Sequence, residues 1–172
     1  ADPNYPNYIS SDKVFSQNII EVDSVDGFAM LINKKKFKEN NLFDENFFLF
    51  FEEFDLCRRV LNKGGKIFVS KNLYVKHLGH KGSVAVDPKY EKESVFLRSW
   101  HWMWSSFYYY EKNFSYFYAL KCMYGKFFRS IIKMIFYRIF YNSIKFKMYH
   151  GRVSGIWNRL IGRKSWYRLK IY

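Results

Sequence analysis

The sequence predicts an α/β chain built in two parts, a strand-and-helix part over residues 1–95 and a basic, aromatic-rich helical part over 96–172. Three observations carry this. Compact apolar runs at 25–32, 66–69 and 73–75 flank one helix-like segment at 52–62, as short strands around a helix would. From Pro88 onward the spacing of apolar residues turns helical. Charge divides at nearly the same place: residues 1–95 hold 14 Lys plus Arg against 14 Asp plus Glu, and residues 96–172 hold 15 against the single acid Glu111. The net charge of +14 therefore belongs to the second part, and 172 residues suffice for one domain with a real core.

Taken in order, residues 1–21 hold Pro3, Pro6 and several Asn and Ser without sustained periodicity, and read as a loop or edge segment. Val25 to Ile32 is apolar and compact, as a buried strand would be. Lys34 to Glu39 reads as a short helix or turn with a solvated lysine face. Glu52 to Asn62 predicts a helix that stops at Gly64, where a left-handed cap is natural. Lys66 to Val69 and Leu73 to Val75 are short strands. Residues 77–87, with Gly79 and Gly82, read as a mobile loop. Cys57 and Cys122 have neither metal-ligand spacing nor a disulfide pattern, which suits a reducing compartment.

In the basic part, residues 126–141 can be placed on a wheel at about 100° per residue. Lys126, Arg129, Ser130, Lys133 and Tyr137 fall on one side, and Phe127, Phe128, Ile131, Ile132, Ile135 and Ile139 fall opposite. Only Arg138 breaks the division. A membrane span needs about 18 or more apolar residues with few charges, and the charge-free stretches here are far shorter. Two readings fit: a helix lying in the headgroup region of an anionic membrane, or one packing its apolar face on the rest of the protein. The segment from Arg152 to Arg168, which mixes Arg with Trp157 and Trp166, repeats the composition.

The stretch most informative about chemistry is Phe43-Asp44-Glu45-Asn46-Phe47-Phe48-Leu49-Phe50-Phe51-Glu52-Glu53-Phe54-Asp55-Leu56-Cys57-Arg58-Arg59. Three acids after so apolar a run are costly unless they face water, a cation or a reacting group. A helix N-terminus alone would also favour them, because acids complement its dipole.

The order of these pieces, together with Val25-Asp26-Gly27-Phe28 upstream and Gly64-Gly65-Lys66-Ile67-Phe68-Val69 and Val75-Lys76-His77 downstream, resembles family 2 nucleotide-sugar glycosyltransferases. The likeness is to the rhamnosyltransferase-like branch and covers residues 22–83. It implies the C-terminal part of a GT-A, Rossmann-like domain carrying out inverting transfer from a nucleotide-sugar donor to a saccharide or lipid-linked acceptor. Glu53 stands where the family has an Asp acting as general base, with Glu52 its neighbour and alternative; Asp55 matches the next acid. Arg59, Asp26 and Gly27 match substrate-side positions. His77 matches a His that helps hold Mg²⁺ or Mn²⁺, with His80 an alternative. The family's Asp-x-Asp motif is absent, so the resemblance implies a C-terminal portion of a longer enzyme that binds a sugar nucleotide poorly alone.

The implied setting is bacterial cell-surface polysaccharide or lipopolysaccharide synthesis, on the cytoplasmic face of the plasma membrane. Two other classes stay open. A catalytically inactive membrane-attached scaffold would take the missing motif literally. A basic nucleic-acid-binding module would use interleaved cations and aromatics, but no nucleic-acid motif is present and it leaves the acids unexplained, so no specific nucleic acid is expected.

Overall fold

A computed structural model of the chain describes residues 13–16, 18–37, 42–76 and 88–168. The chain divides into two compact units, one over residues 1–45 and 52–77 and one over 46–51 and 78–172.

In the first unit, strands β1 (Lys13–Ser16), β2 (Ile19–Val22) and β3 (Ile67–Ser70) form one antiparallel sheet with β2 in the middle. Ile19, Ile20, Glu21 and Val22 sit opposite Ser70, Val69, Phe68 and Ile67. On the other edge Lys13 faces Glu21 and Val14 faces Ile20, and the register shifts between Val14 and Ser16. Helix α1 (Glu52–Asn62) carries Glu52, Glu53 and Asp55 in its first turn and Arg59 in its last, the charge order its dipole favours. It stops at Gly64, at φ 73°. The Gly64 amide donates to the Leu61 carbonyl and the Gly65 amide to the Val60 carbonyl, both at 2.9 Å, satisfying carbonyls that the helix end would orphan.

The expected α/β, Rossmann-like GT-A architecture is overturned. The described residues hold a single small sheet, antiparallel throughout, and four α-helices, three of them in the second unit. No parallel strand pair joined by a crossover helix occurs among them. Residues 25–32, read above as a buried strand, run irregularly through a turn at Gly27 and Phe28. Phe28 and Leu31 are exposed, so the run is apolar in composition without the two covered faces a buried strand requires. Residues 73–75 are likewise irregular and exposed.

The second unit is built on α2 (Glu91–Asn113), α3 (Tyr116–Ile139) and α4 (Ser143–Leu160). Its core is Trp100, Trp104 and Phe107 of α2, Ala119 and Met123 of α3 and Ile156 of α4, all essentially inaccessible. The buried indole groups are satisfied: Trp100 Nε1 donates to Ser154 Oγ at 3.2 Å and Trp104 Nε1 to the Arg163 carbonyl at 2.9 Å. Two glycines one turn apart on α4 bring it against the α2 backbone. A Cβ at Gly151 would lie 2.6 Å from the Phe96 carbonyl oxygen, and one at Gly155 would fall on the Trp100 carbonyl oxygen. Small residues spaced by four let helices approach this closely.

Helix α3 is turned opposite to the usual sense. Ser130 is buried, Lys133 Nζ donates to the Tyr149 hydroxyl at 3.2 Å, and the Tyr137 ring stacks on Tyr149 at 5.6 Å. These residues lie on the polar side of the wheel, and it is that side which meets α4. Along the opposite side Phe117, Tyr124, Phe128, Ile132 (68 % exposed), Ile135 and Ile139 (64 % exposed) face outward. Among the described residues, then, most of this apolar face is left uncovered; only its edge at Phe127 and Ile131 is half-buried.

The segment after α4 is fastened to α2 through His101, which is fully buried. Its Nε2 lies 2.8 Å from the Tyr167 carbonyl oxygen and its Nδ1 3.2 Å from Ser165 Oγ. A carbonyl only accepts, so Nε2 carries the proton and Nδ1 accepts from the serine hydroxyl. Burial lowers the imidazole pKa to about 4; the bond to Tyr167 opposes this and the Arg168 charge adds to it. The ring thus stays neutral in the fold while the unfolded chain takes up a proton near pH 6.5. Stability from this site is complete above that pH and declines as pH falls toward 4, by up to about 1.4 kcal/mol for each pH unit. Imidazole ¹⁵N spectra should show His101 still neutral at pH 5, when an exposed histidine is protonated; a charged ring there would contradict this account.

Candidate active site

Residues 46–51, which lead into α1, belong to the second unit and are held there by aromatic contacts. The Phe47 ring is 4.9 Å from Tyr108, Phe50 is 5.1 Å from Trp102, and Phe51 is 5.4 Å from both Trp102 and Tyr109. Ser105 Oγ donates to the Leu49 carbonyl at 2.8 Å. So anchored, Phe50 and Phe51 take φ values of 67° and 70°, the left-handed region that a bulky side chain avoids. Each such residue costs on the order of 1–3 kcal/mol and persists where its surroundings over-determine it, often at functional sites. The next two residues are Glu52 and Glu53.

In the first unit these carboxylates are partly buried. Glu52 Oε2 and Glu53 Oε2 are each enclosed without a hydrogen-bond partner among the described residues. Burial raises the pKa of Glu52 above the ordinary 4.5, its own backbone amide pulling the other way. Burial also raises Glu53; its backbone amide again opposes, and the charges of Glu52 and Asp26 add to the rise. Gly27 lies alongside, where a Cβ would stand 3.4 Å from Glu53 Cβ. Burial pushes the Cys57 thiol up as well, a backbone hydrogen bond with Val25 working against it, so this cysteine is no nucleophile.

The structure thus brings Glu52, Glu53, Asp26 and Gly27 into one neighbourhood. Asp55 and Arg59 form a closed pair instead. Asp55 is inaccessible, and Arg59 Nε donates to its Oδ2 at 2.9 Å while Arg59 Nη2 donates to the Leu42 carbonyl. Such a pair fixes the loop before α1 to the helix. His77, the expected metal ligand, lies outside the described residues, as does His80. Among the described residues no group of three or more His, Cys, Asp or Glu side chains is placed to hold a metal ion. Sequence reasoning missed the strain at Phe50 and Phe51, because neither is a Gly or Asn that would mark a left-handed turn.

No family model, curated protein or solved structure matches the chain. No described helix is long and apolar enough to cross a membrane.

Proposed function

We propose that the chain serves an inverting glycosyl transfer, with Glu53 the general base that takes the proton from an acceptor hydroxyl. The observation that carries this is the Glu53 carboxyl: held above its ordinary pKa, with one oxygen lacking a partner. A carboxylate whose pKa is raised toward the working pH is a stronger base, and Glu53 Oε2 has an accepting capacity that no described residue uses; because this oxygen is enclosed, an acceptor hydroxyl reaches it only once the surrounding chain moves. The hydroxyl oxygen attacks the anomeric carbon as its proton passes to Glu53. A new glycosidic C–O bond forms, the bond to the diphosphate breaks with its electron pair going to the nucleotide, and in-line attack inverts the centre. Glu52 and Asp26 keep Glu53 basic by like charge, and the Asp55–Arg59 pair positions α1.

The test is transfer of labelled sugar from uridine, guanosine and deoxythymidine diphosphate sugars into a bacterial membrane-lipid acceptor fraction. Transfer that depends on Glu53 supports the proposal. Transfer indifferent to both Glu52 and Glu53 removes it.

We further propose that the second unit holds the protein on the inner face of the plasma membrane, where a lipid-linked acceptor in polysaccharide or lipopolysaccharide synthesis resides. Its support is the outward apolar side of α3, flanked by the exposed Lys121 and Arg129. Each cation near an anionic surface contributes about 1 kcal/mol, screened by salt. Lys121→Glu with Arg129→Glu should therefore weaken co-sedimentation with anionic vesicles by about tenfold or more, and added salt should do likewise. Equal binding to neutral and anionic vesicles would refute the electrostatic part.

A further inference from the structure

The second unit contains an apolar cavity of about 230 Å³ lined by Phe107, Leu120, Met123, Tyr124, Phe128 and Ile156, among others. The space is about half open to the surface, and an enclosed apolar cavity of about 150 Å³ already accepts a benzene ring. Tyr124 and Phe128 belong both to its wall and to the outward side of α3, where each is exposed. The cavity therefore opens onto the same apolar strip that runs through Ile132, Ile135 and Ile139. We propose that it receives an acyl chain of an anionic phospholipid, drawn from the bilayer on which α3 rests. This rests on the membrane attachment proposed above.

Charge selects this occupant over a second copy of the chain. From Lys112 to the end the sequence has no acid, and the one acid of the basic part, Glu111, is engaged by Arg159 at 2.6 Å. Two copies meeting along the outward side of α3 would bring the exposed Lys121, Arg129 and Arg138 of each against the same residues of the other, with nothing of opposite sign on that helix. An anionic headgroup supplies that sign while its chain supplies the apolar contact. The thioether of Met123, buried in the core beside the cavity, can repack around a chain of variable course.

Met123 also reports on occupancy. The full chain, labelled with ¹³C at its methionine methyls, is added to phosphatidylglycerol–phosphatidylcholine bicelles containing phosphatidylglycerol with a nitroxide on its acyl chain. The Met123 methyl signal should be lost with this chain-labelled lipid, and lost less with the nitroxide on the headgroup instead. Leu120→Trp fills the cavity from its wall and should restore the Met123 signal without changing vesicle co-sedimentation. Vesicle binding with an unaffected Met123 methyl in the unsubstituted chain overturns the acyl-chain proposal and leaves membrane attachment standing. Absence of vesicle binding overturns both. Chemical crosslinking into dimers through α3, without lipid, would assign the strip to a second copy.

Discussion

Glu53→Gln should slow glycosyl transfer by about a hundredfold or more, since losing a general base costs on the order of 10²–10⁴ in rate, with donor binding nearly unchanged. The same change should make the protein more stable, and that pairing separates a functional carboxylate from a structural one. The fold raises the Glu53 pKa above 4.5 and so favours the protonated form. That contribution is full below pH 4.5 and is lost as pH rises through the raised value. At neutral pH the ionised group opposes folding, and an uncharged amide relieves it. Thermal unfolding at pH 7 should give a higher midpoint for Glu53→Gln than for the unsubstituted chain. A lower midpoint would mean that Glu53 is a structural partner. Full turnover by Glu53→Gln beside an inactive Glu52→Gln would move the base to Glu52.

The second large effect concerns α2 and α4. Gly151→Ala with Gly155→Ala places two methyl groups against the Phe96 and Trp100 carbonyl oxygens. Both obstacles are backbone, so the helices must separate along their whole contact. Overpacking of this kind costs about 2–4 kcal/mol for the pair, which for a unit of this size lowers the unfolding midpoint by roughly 10 °C or more. Gly125→Ala in α3 is the control. Nothing lies within 4 Å of its Cβ position, and replacing an unobstructed helical glycine stabilises by about 0.5–1 kcal/mol. Equal losses from the two sets would show that glycine itself, not its close approach, matters at Gly151 and Gly155.

What the sequence revealed about this molecule was local. Acids at 52, 53 and 55 opened a helix and Gly64 closed it, and that helix spans Glu52–Asn62 with its left-handed cap in place. The strand read at 66–69, found one residue on at 67–70, and the helical character after Pro88 were legible for the same reason: each depends on neighbours in sequence. The β1–β2 pairing was not legible, because two four-residue strands declare themselves only through the partner that β3 provides some 45 residues later. The direction of α3 was not legible either. A wheel separates two faces, but Ser130, Lys133 and Tyr137 face inward only because α4 presents Tyr149 to them. At the candidate site the acids were visible as a cluster, whereas their burial depends on tertiary surroundings that no spacing rule contains.

The outward apolar strip of α3 also governs how the chain behaves when no membrane is present. Mutual repulsion from a net charge of +14 keeps copies apart in dilute buffer. Salt shortens the reach of that repulsion to about 10 Å at 0.1 M and leaves the contact between oily strips undiminished. Ionic strength should therefore select between two fates: in low salt the chain is dispersed and, on the attachment proposed above, drawn to anionic bilayers, and in high salt, released from them, it is driven toward its own kind. The dispersed state is sustained by charge, and on the proposed attachment a bilayer is the surroundings in which the same helix needs no such protection.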